Sequence, residues 1–186
     1  MTQTQETSYA GSISTTIRHI RARDLKHVIT DLTDVFVDTV NNGSPLGFMP
    51  PITRDAARDF WISLLPELEA GSRLLLVACN EEGRVVGSGQ LALSQRSNSP
   101  HRAELQRLFV SRTVRGQGIG ASLVLALQNI ARQYGRSLIT LSTRHNEPAE
   151  DFYMALGYTL VGVIPGWTIG RDGERYDHAT LYLQLE

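Results

Sequence analysis

The sequence predicts one domain of mixed α/β (α+β) class, with a central mixed sheet of about seven strands and helices on both faces. Three observations predict it. Two short apolar runs, residues 73–79 and 85–93, flank a turn-forming Asn80 to Gly83 and read as a β-hairpin. Past residue 104, short β-rich runs alternate with helix-periodic segments, the pattern of strand–helix–strand units. The chain has 186 residues with 41% hydrophobic and 20% charged side chains, enough for one globular core.

Residues 1–12 are mostly polar and are expected to form a flexible tail, leaving 13–186 as a single domain. Residues 14–20 alternate weakly and predict a first strand. Asp24 is placed to cap a helix whose face carries Leu25, Val28, Ile29, Leu32, Phe36 and Val40. Asn41 to Gly43 stop it, and residues 44–52 form a turn-rich loop. A second helix, residues 54–69, carries Ala57, Phe60, Trp61, Leu64, Leu65 and Leu68 on one face. After the hairpin come a strand at 105–110, a helix at 118–134, a strand at 137–141, a short helix at 147–156, and strands at 158–164 and 178–185.

Composition excludes several classes. A formal net charge of −1 gives no basic field for nucleic acid. No apolar run reaches the roughly 20 residues that cross a bilayer. Cys79 is the only cysteine, so no intramolecular disulfide forms. A reducing, cytoplasmic location is expected. His19, His27, His101, His145 and His178 show no metal-ligand spacing, and no metal is expected.

The sharpest local feature is Arg115-Gly116-Gln117-Gly118-Ile119-Gly120 between a strand and a helix. Successive amides in such a turn, with the unpaired N–H groups of the helix's first turn, make an anion site suited to a pyrophosphate. Arg115 adds a cation. A plain glycine turn fits the same residues. A P-loop does not, because no Lys-Ser or Lys-Thr pair follows. Gly116, Gly118 and Ala121 satisfy a dinucleotide fingerprint, but residues 111–114 intervene after the strand, and the next strand ends at Ser142-Thr143 without an acid.

A second constellation, Asn146, Ala149, Phe152, Tyr153, Leu156 and Gly157, has helical spacing and a glycine stop. Together the two segments resemble the Gcn5-related N-acetyltransferase (GNAT) family. Arg115, Gly118 and Gly120 match its phosphate loop. Glu104, Leu108 and Val110 match the preceding strand. Asn146, Ala149, Tyr153 and Gly157 match its later motif, with Tyr158 replacing the usual Phe. Within the family, residues 47–49, 102–104 and 152–166 look most like the tabtoxin-resistance acetyltransferase subgroup, although Ser142 stands where an acid is expected there.

The resemblance implies a splayed sheet, open between the strands at 105–110 and 137–141, and acetyl-CoA as co-substrate. It implies that the main chain of Leu108, Phe109 and Val110 pairs with the pantetheine arm, and that amides of Arg115, Gly116, Gln117, Gly118, Ile119 and Gly120 hold the pyrophosphate. Asn146 and Phe152 are expected along the arm. Tyr153 is the expected general acid for the departing thiolate, and Glu104 the expected base, with an Arg102 or Arg107 salt bridge as its competing role. Phe48, Tyr176 and His178 are expected beside the acceptor, a primary amine of a small molecule, which attacks directly in a ternary complex. Family habit also implies a homodimer, and the subgroup resemblance implies a role in antibiotic or toxin resistance. A catalytically silent acyl-CoA sensor, a protein or peptide amine acetyltransferase and a nucleotide-dependent oxidoreductase are the alternatives.

Overall fold

The computed structural model describes residues 14–44 and 46–186, so the tail expected over residues 1–12 lies outside the described residues. Strand β1 (Thr16–Ile20) leads through a 3-10 turn into helix α1 (Leu25–Asn41). Helices α2 (Arg54–Ser63) and α3 (Leu65–Glu69) precede β2 (Arg73–Cys79), β3 (Val85–Leu93) and β4 (Arg102–Val110). Then come α4 (Ile119–Gln133), β5 (Leu138–Arg144), α5 (Pro148–Ala155), β6 (Thr159–Ile169) and β7 (Arg175–Gln184). The described strands form one seven-stranded sheet in the order β1-β2-β3-β4-β5-β7-β6. It is antiparallel except where β4 meets β5.

Each face of the sheet carries its own core. On one face Leu123, Val124 and Leu127 of α4 pack with Leu74, Leu76, Leu91, Ile139 and Leu181. On the other, Leu32 and Phe36 of α1 and Trp61 of α2 pack with Leu75, Val77 and Phe109. Phe36 is fully buried, and the rings of Phe48, Phe60, Trp61 and Phe109 lie 5.3–5.5 Å from its centroid. Phe36→Ala is expected to cost about 3–5 kcal/mol of unfolding free energy, measured by denaturant titration. The loss would also loosen β4 through Phe109.

Three local expectations change. The helix expected over residues 54–69 is broken at Leu64, because Pro66 has no N–H to continue the ladder and sits in the first turn of a new helix. Thr53 caps α2 through its hydroxyl, which accepts the Ala56 N–H at 3.1 Å. Asp24 does not cap α1 in the same way. Its side chain bonds no first-turn amide, and it ends the 3-10 turn that runs into the helix.

Strand β4 carries a bulge. Gln106 pairs with Gln90 and Phe109 with Ser88, so two residues, Arg107 and Leu108, oppose Gly89 alone. Arg107 takes φ +48°, a left-handed conformation for a residue with a β-carbon. The extra residue reverses the parity of the strand. Ala103 and Leu105 join the α4 core before it, whereas Leu108 and Val110 face that core after it. Gly89 makes the space: a β-carbon there would come 3.1 Å from Leu108 Cδ1 and 2.8 Å from Leu127 Cδ1.

Candidate functional site

The sheet opens at its middle. β4 and β5 pair only through Arg102–Leu138, Ala103–Ile139 and Glu104–Thr140. Beyond those pairs both strands continue, to Val110 and to Arg144, without bonding each other. The opening thus lies between residues 105–110 and 141–144, one turn of ladder later on β5 than its sequence run suggests.

On the β4 wall the Ser111 N–H donates to Val86 O at 2.7 Å. By the alternation of an antiparallel ladder, Phe109 also bonds toward β3 while Val110 turns its polar groups to the opening. The Val110 carbonyl accepts from Arg115 Nε at 3.1 Å, which ties the glycine turn to the strand end. The Phe109 ring is buried against Phe36 and Trp61. Leu108 stands on the bulge.

At the mouth of the opening is the N-terminus of α4. Gly116 and Gly118 take φ +77° and +78°, and a β-carbon at either would meet nothing within 4 Å. Gly118 is the cap residue, and no side chain caps the helix, so its leading amides stay available to a ligand. Gln117 and Ile119 flank Gly118 in this turn, and the Ile119 side chain is buried in the α4 core. Arg112 holds the loop to α1 with two bonds to Asp38, at 2.9 and 3.0 Å. Phe152 of α5 closes the other side: a β-carbon on Gly120 would lie 3.4 Å from its Cζ and 3.8 Å from Val110 Cγ2.

Tyr153 follows Phe152 and is buried, its ring 5.2 Å from Phe152 and 5.6 Å from Tyr158. Burial, assisted by Tyr158, pushes its phenol well above the ordinary value of 10. Tyr158 is itself pushed up to about 12, chiefly by burial. The Tyr153 hydroxyl bonds no described residue, so a neutral phenol is held in an apolar wall as a free donor. Asn146 adopts φ +58° just before α5. Glu150, buried, fixes that turn: one carboxylate oxygen accepts the Asn146 N–H at 2.8 Å and lies 2.9 Å from His145 Nδ1.

The face carrying α1 and α2 holds the other polar groups. Glu104 is exposed there, and among the described residues it forms no ion pair with Arg102 or Arg107. Arg73 bonds Glu67, Gln90 and Gln106, each at 2.9 Å. The Arg107 guanidinium carbon lies 4.8 Å from the Phe60 ring centre and 5.7 Å from that of Phe48. Burial, then nearby Arg73, lowers its pKa.

A cavity of about 520 Å³ lies between the loop after α1 and the β6–β7 hairpin, lined in part by Phe48, Met49, Arg144, Arg171 and Tyr176. Arg144 lies 3.9 Å over the Tyr176 ring, and the Tyr176 hydroxyl donates to Asp172. Asn41 pins the loop by accepting from the Ile52 N–H at 2.8 Å and donating to Ile52 O at 3.1 Å. Phe48 and Tyr176 therefore share a cavity. His178 stands apart from its lining, near Thr168 and Trp167.

The sequence reading passed over Arg144 and Glu150, and gave Arg107 only as a salt-bridge partner for Glu104. Leu105 and Leu108 are three residues apart, which strict strand alternation forbids, and that spacing is the visible trace of the bulge that places Arg107. Glu150 has the trace of a carboxylate at the third position of a helix. Arg144 left no trace, because its role depends on a hairpin contact remote in sequence.

A model of the acetyltransferase (GNAT) family matches residues 34–158. An uncharacterised N-acetyltransferase from the hisH–hisA intergenic region of Azospirillum brasilense is 30% identical over 119 residues, covering 63% of this chain and 68% of that protein. A crystal structure provisionally assigned as a phosphinothricin N-acetyltransferase superposes with a TM-score of 0.70 at 26% identity, covering 93% of this chain and 99% of that one. The phosphinothricin acetyltransferase of Sinorhizobium meliloti, crystallised with acetyl-CoA, gives a TM-score of 0.72 at 22% identity, covering 92% and 88%.

Proposed function

The chain belongs to the acetyltransferase (GNAT) family and is an N-acetyltransferase, and on that premise we propose that it transfers the acetyl group of acetyl-CoA to a primary amine of a small molecule by direct attack. The observation that carries this reading is the three-pair ladder between β4 and β5, which opens onto an uncapped helix N-terminus.

The residues fit the coenzyme. The open space beside Gly116 and Gly118 admits a pyrophosphate to the amides of residues 115–120, with Arg115 close by. Val110 offers main-chain groups to an amide-bearing arm in the manner of an added strand, with Leu108 and Phe109 shaping that strand end. Asn146 and Phe152 line the far side. Acetyl-CoA supplies the thioester.

Glu104 accepts a proton from the incoming ammonium, directly or through water. The amine nitrogen then bonds the acetyl carbon as the carbon–sulfur bond breaks; Tyr153 donates its proton to the leaving sulfur, and the second nitrogen proton leaves the new amide to solvent, from which Tyr153 is reprotonated. An alkyl ammonium titrates near 10, so the first transfer is needed at neutral pH. Glu104 stands on the α1–α2 face of the sheet and Tyr153 in the core on the opposite face, which suits an acceptor entering from the α1–α2 side. Cys79 is buried, and burial pushes its thiol up, which favours direct attack over an acyl-enzyme.

Glu104→Gln is expected to lower kcat/KM on the order of 10²-fold and to displace the acidic limb of the pH–rate profile. An unchanged profile would remove Glu104 from this role. Thiol release with acetyl-CoA across an amine panel tests the reading as a whole. Binding of the coenzyme without thiol release from any amine would favour an acyl-CoA sensor.

A further inference from the structure

We propose that Arg73, at the start of β2, is a positioning residue for acyl transfer: through Gln106 it holds the bulged stretch of β4 where the arm of the coenzyme lies. The inference deepens the reading above and rests on acetyl-CoA occupying the opening between β4 and β5. That stretch has lost its ladder on both edges. The register to β5 ends at Glu104, and the register to β3 skips from Gln106 to Phe109. Arg107 and Leu108 therefore share only Gly89 on one edge and have no strand on the other. Arg107 also takes φ +48°, a conformation that persists only where its surroundings over-determine it.

Two side-chain anchors replace the missing ladder. Beyond the bulge the anchor is Phe109, whose buried ring packs on Phe36 and Trp61. Before it the anchor is Gln106. Its Oε1 accepts from Arg73 Nη1 at 2.9 Å, and the same nitrogen donates to Gln90 Oε1 at 2.9 Å. Gln90 and Gln106 are the last directly opposed pair before the bulge, so one guanidinium nitrogen fastens both strands at that step.

The clamp is itself fixed. The Arg73 side chain is 11% exposed, and its Nε and Nη2 each lie 2.9 Å from Glu67 Oε2 of α3. All three guanidinium nitrogens are thus engaged, and the arginine acts through Gln106 without a donor nitrogen given over to substrate. An arginine only donates, so both glutamines must turn their oxygens to it. Gln90 is fully buried, and this orientation leaves its Nε2 without a partner. A buried cluster with one donor unpaired contributes little to stability and instead selects one arrangement of the strands.

The test sets the affinity for acetyl-CoA, measured by calorimetry, beside that for 3′-phospho-ADP, the nucleotide half of the coenzyme without its pantetheine arm. Arg73→Met and Gln106→Leu are each expected to weaken acetyl-CoA about 10-fold and to leave the nucleotide half nearly unmoved. Gln106→Leu should add little in the Arg73→Met background, because both remove the same bond to β4. Arg73→Lys, which keeps a cationic donor, should restore part of the affinity. Should Arg73→Met fail to fold, Gln106→Leu carries the test, since it leaves the bonds of Arg73 to Glu67 and Gln90 in place. Unchanged acetyl-CoA affinity in Gln106→Leu overturns the proposal. So does an equal loss for the nucleotide half, which would mark a general loosening. Either result leaves the acetyltransferase reading standing, whereas no binding of acetyl-CoA by the unsubstituted protein would remove that reading and this role together.

Discussion

Tyr153→Phe is expected to lower kcat by 10²-fold or more while leaving the affinity for acetyl-CoA and the stability of the fold nearly unchanged. The substitution removes only a hydroxyl that bonds no described residue, and the ring keeps its contacts with Phe152 and Tyr158. No buried partner is orphaned, so the loss falls on the chemical step. The pH dependence follows from the direction of the shift. Burial raises the Tyr153 phenol above its ordinary value of 10. The proton-donating form therefore persists as pH rises, and kcat should not fall between pH 8 and about pH 10, where an unperturbed tyrosine titrates. Single-turnover measurements separate the acyl transfer from product release. Full turnover by Tyr153→Phe would exclude it as the acid.

Gly118→Glu is expected to weaken acetyl-CoA binding on the order of 10²-fold or more. Two effects act together. Gly118 takes φ +78°, where a residue with a β-carbon pays roughly 1–2 kcal/mol. The carboxylate would also stand at the helix N-terminus in place of the phosphate, and like charges about 4 Å apart at a protein surface repel by about 4 kcal/mol. Gly118→Ala separates them. A β-carbon there meets nothing within 4 Å, so Ala carries the backbone strain without crowding or charge. It should weaken binding far less than Glu does. Equal losses would assign the effect to strain and remove the phosphate from this turn.

Both predictions concern residues that were legible in the sequence. The glycine turn announces itself because only glycine adopts φ near +78° freely, and that constraint is local. The hairpin of residues 73–93 was legible for the same reason, as turn chemistry set between two apolar runs. The second helix was misread as continuous because its apolar face runs unbroken through Leu64 and Leu65, while the break comes from one absent N–H at Pro66. The bulge at Arg107 left only the three-residue spacing of Leu105 and Leu108 as its trace, within a run otherwise read as a regular strand. Arg144 and the cavity were hidden more completely. They arise where β5, the loop pinned by Asn41 and the β6–β7 hairpin converge, and no single stretch of sequence carries that meeting.

The account turns on the opening between β4 and β5 as the seat of the coenzyme. Calorimetric titration of the folded protein with acetyl-CoA tests it most directly, with Gly118→Glu run in parallel. Saturable heat with one site per chain, lost in the variant, is the predicted result. No heat up to millimolar acetyl-CoA, or equal binding by both proteins, would contradict it.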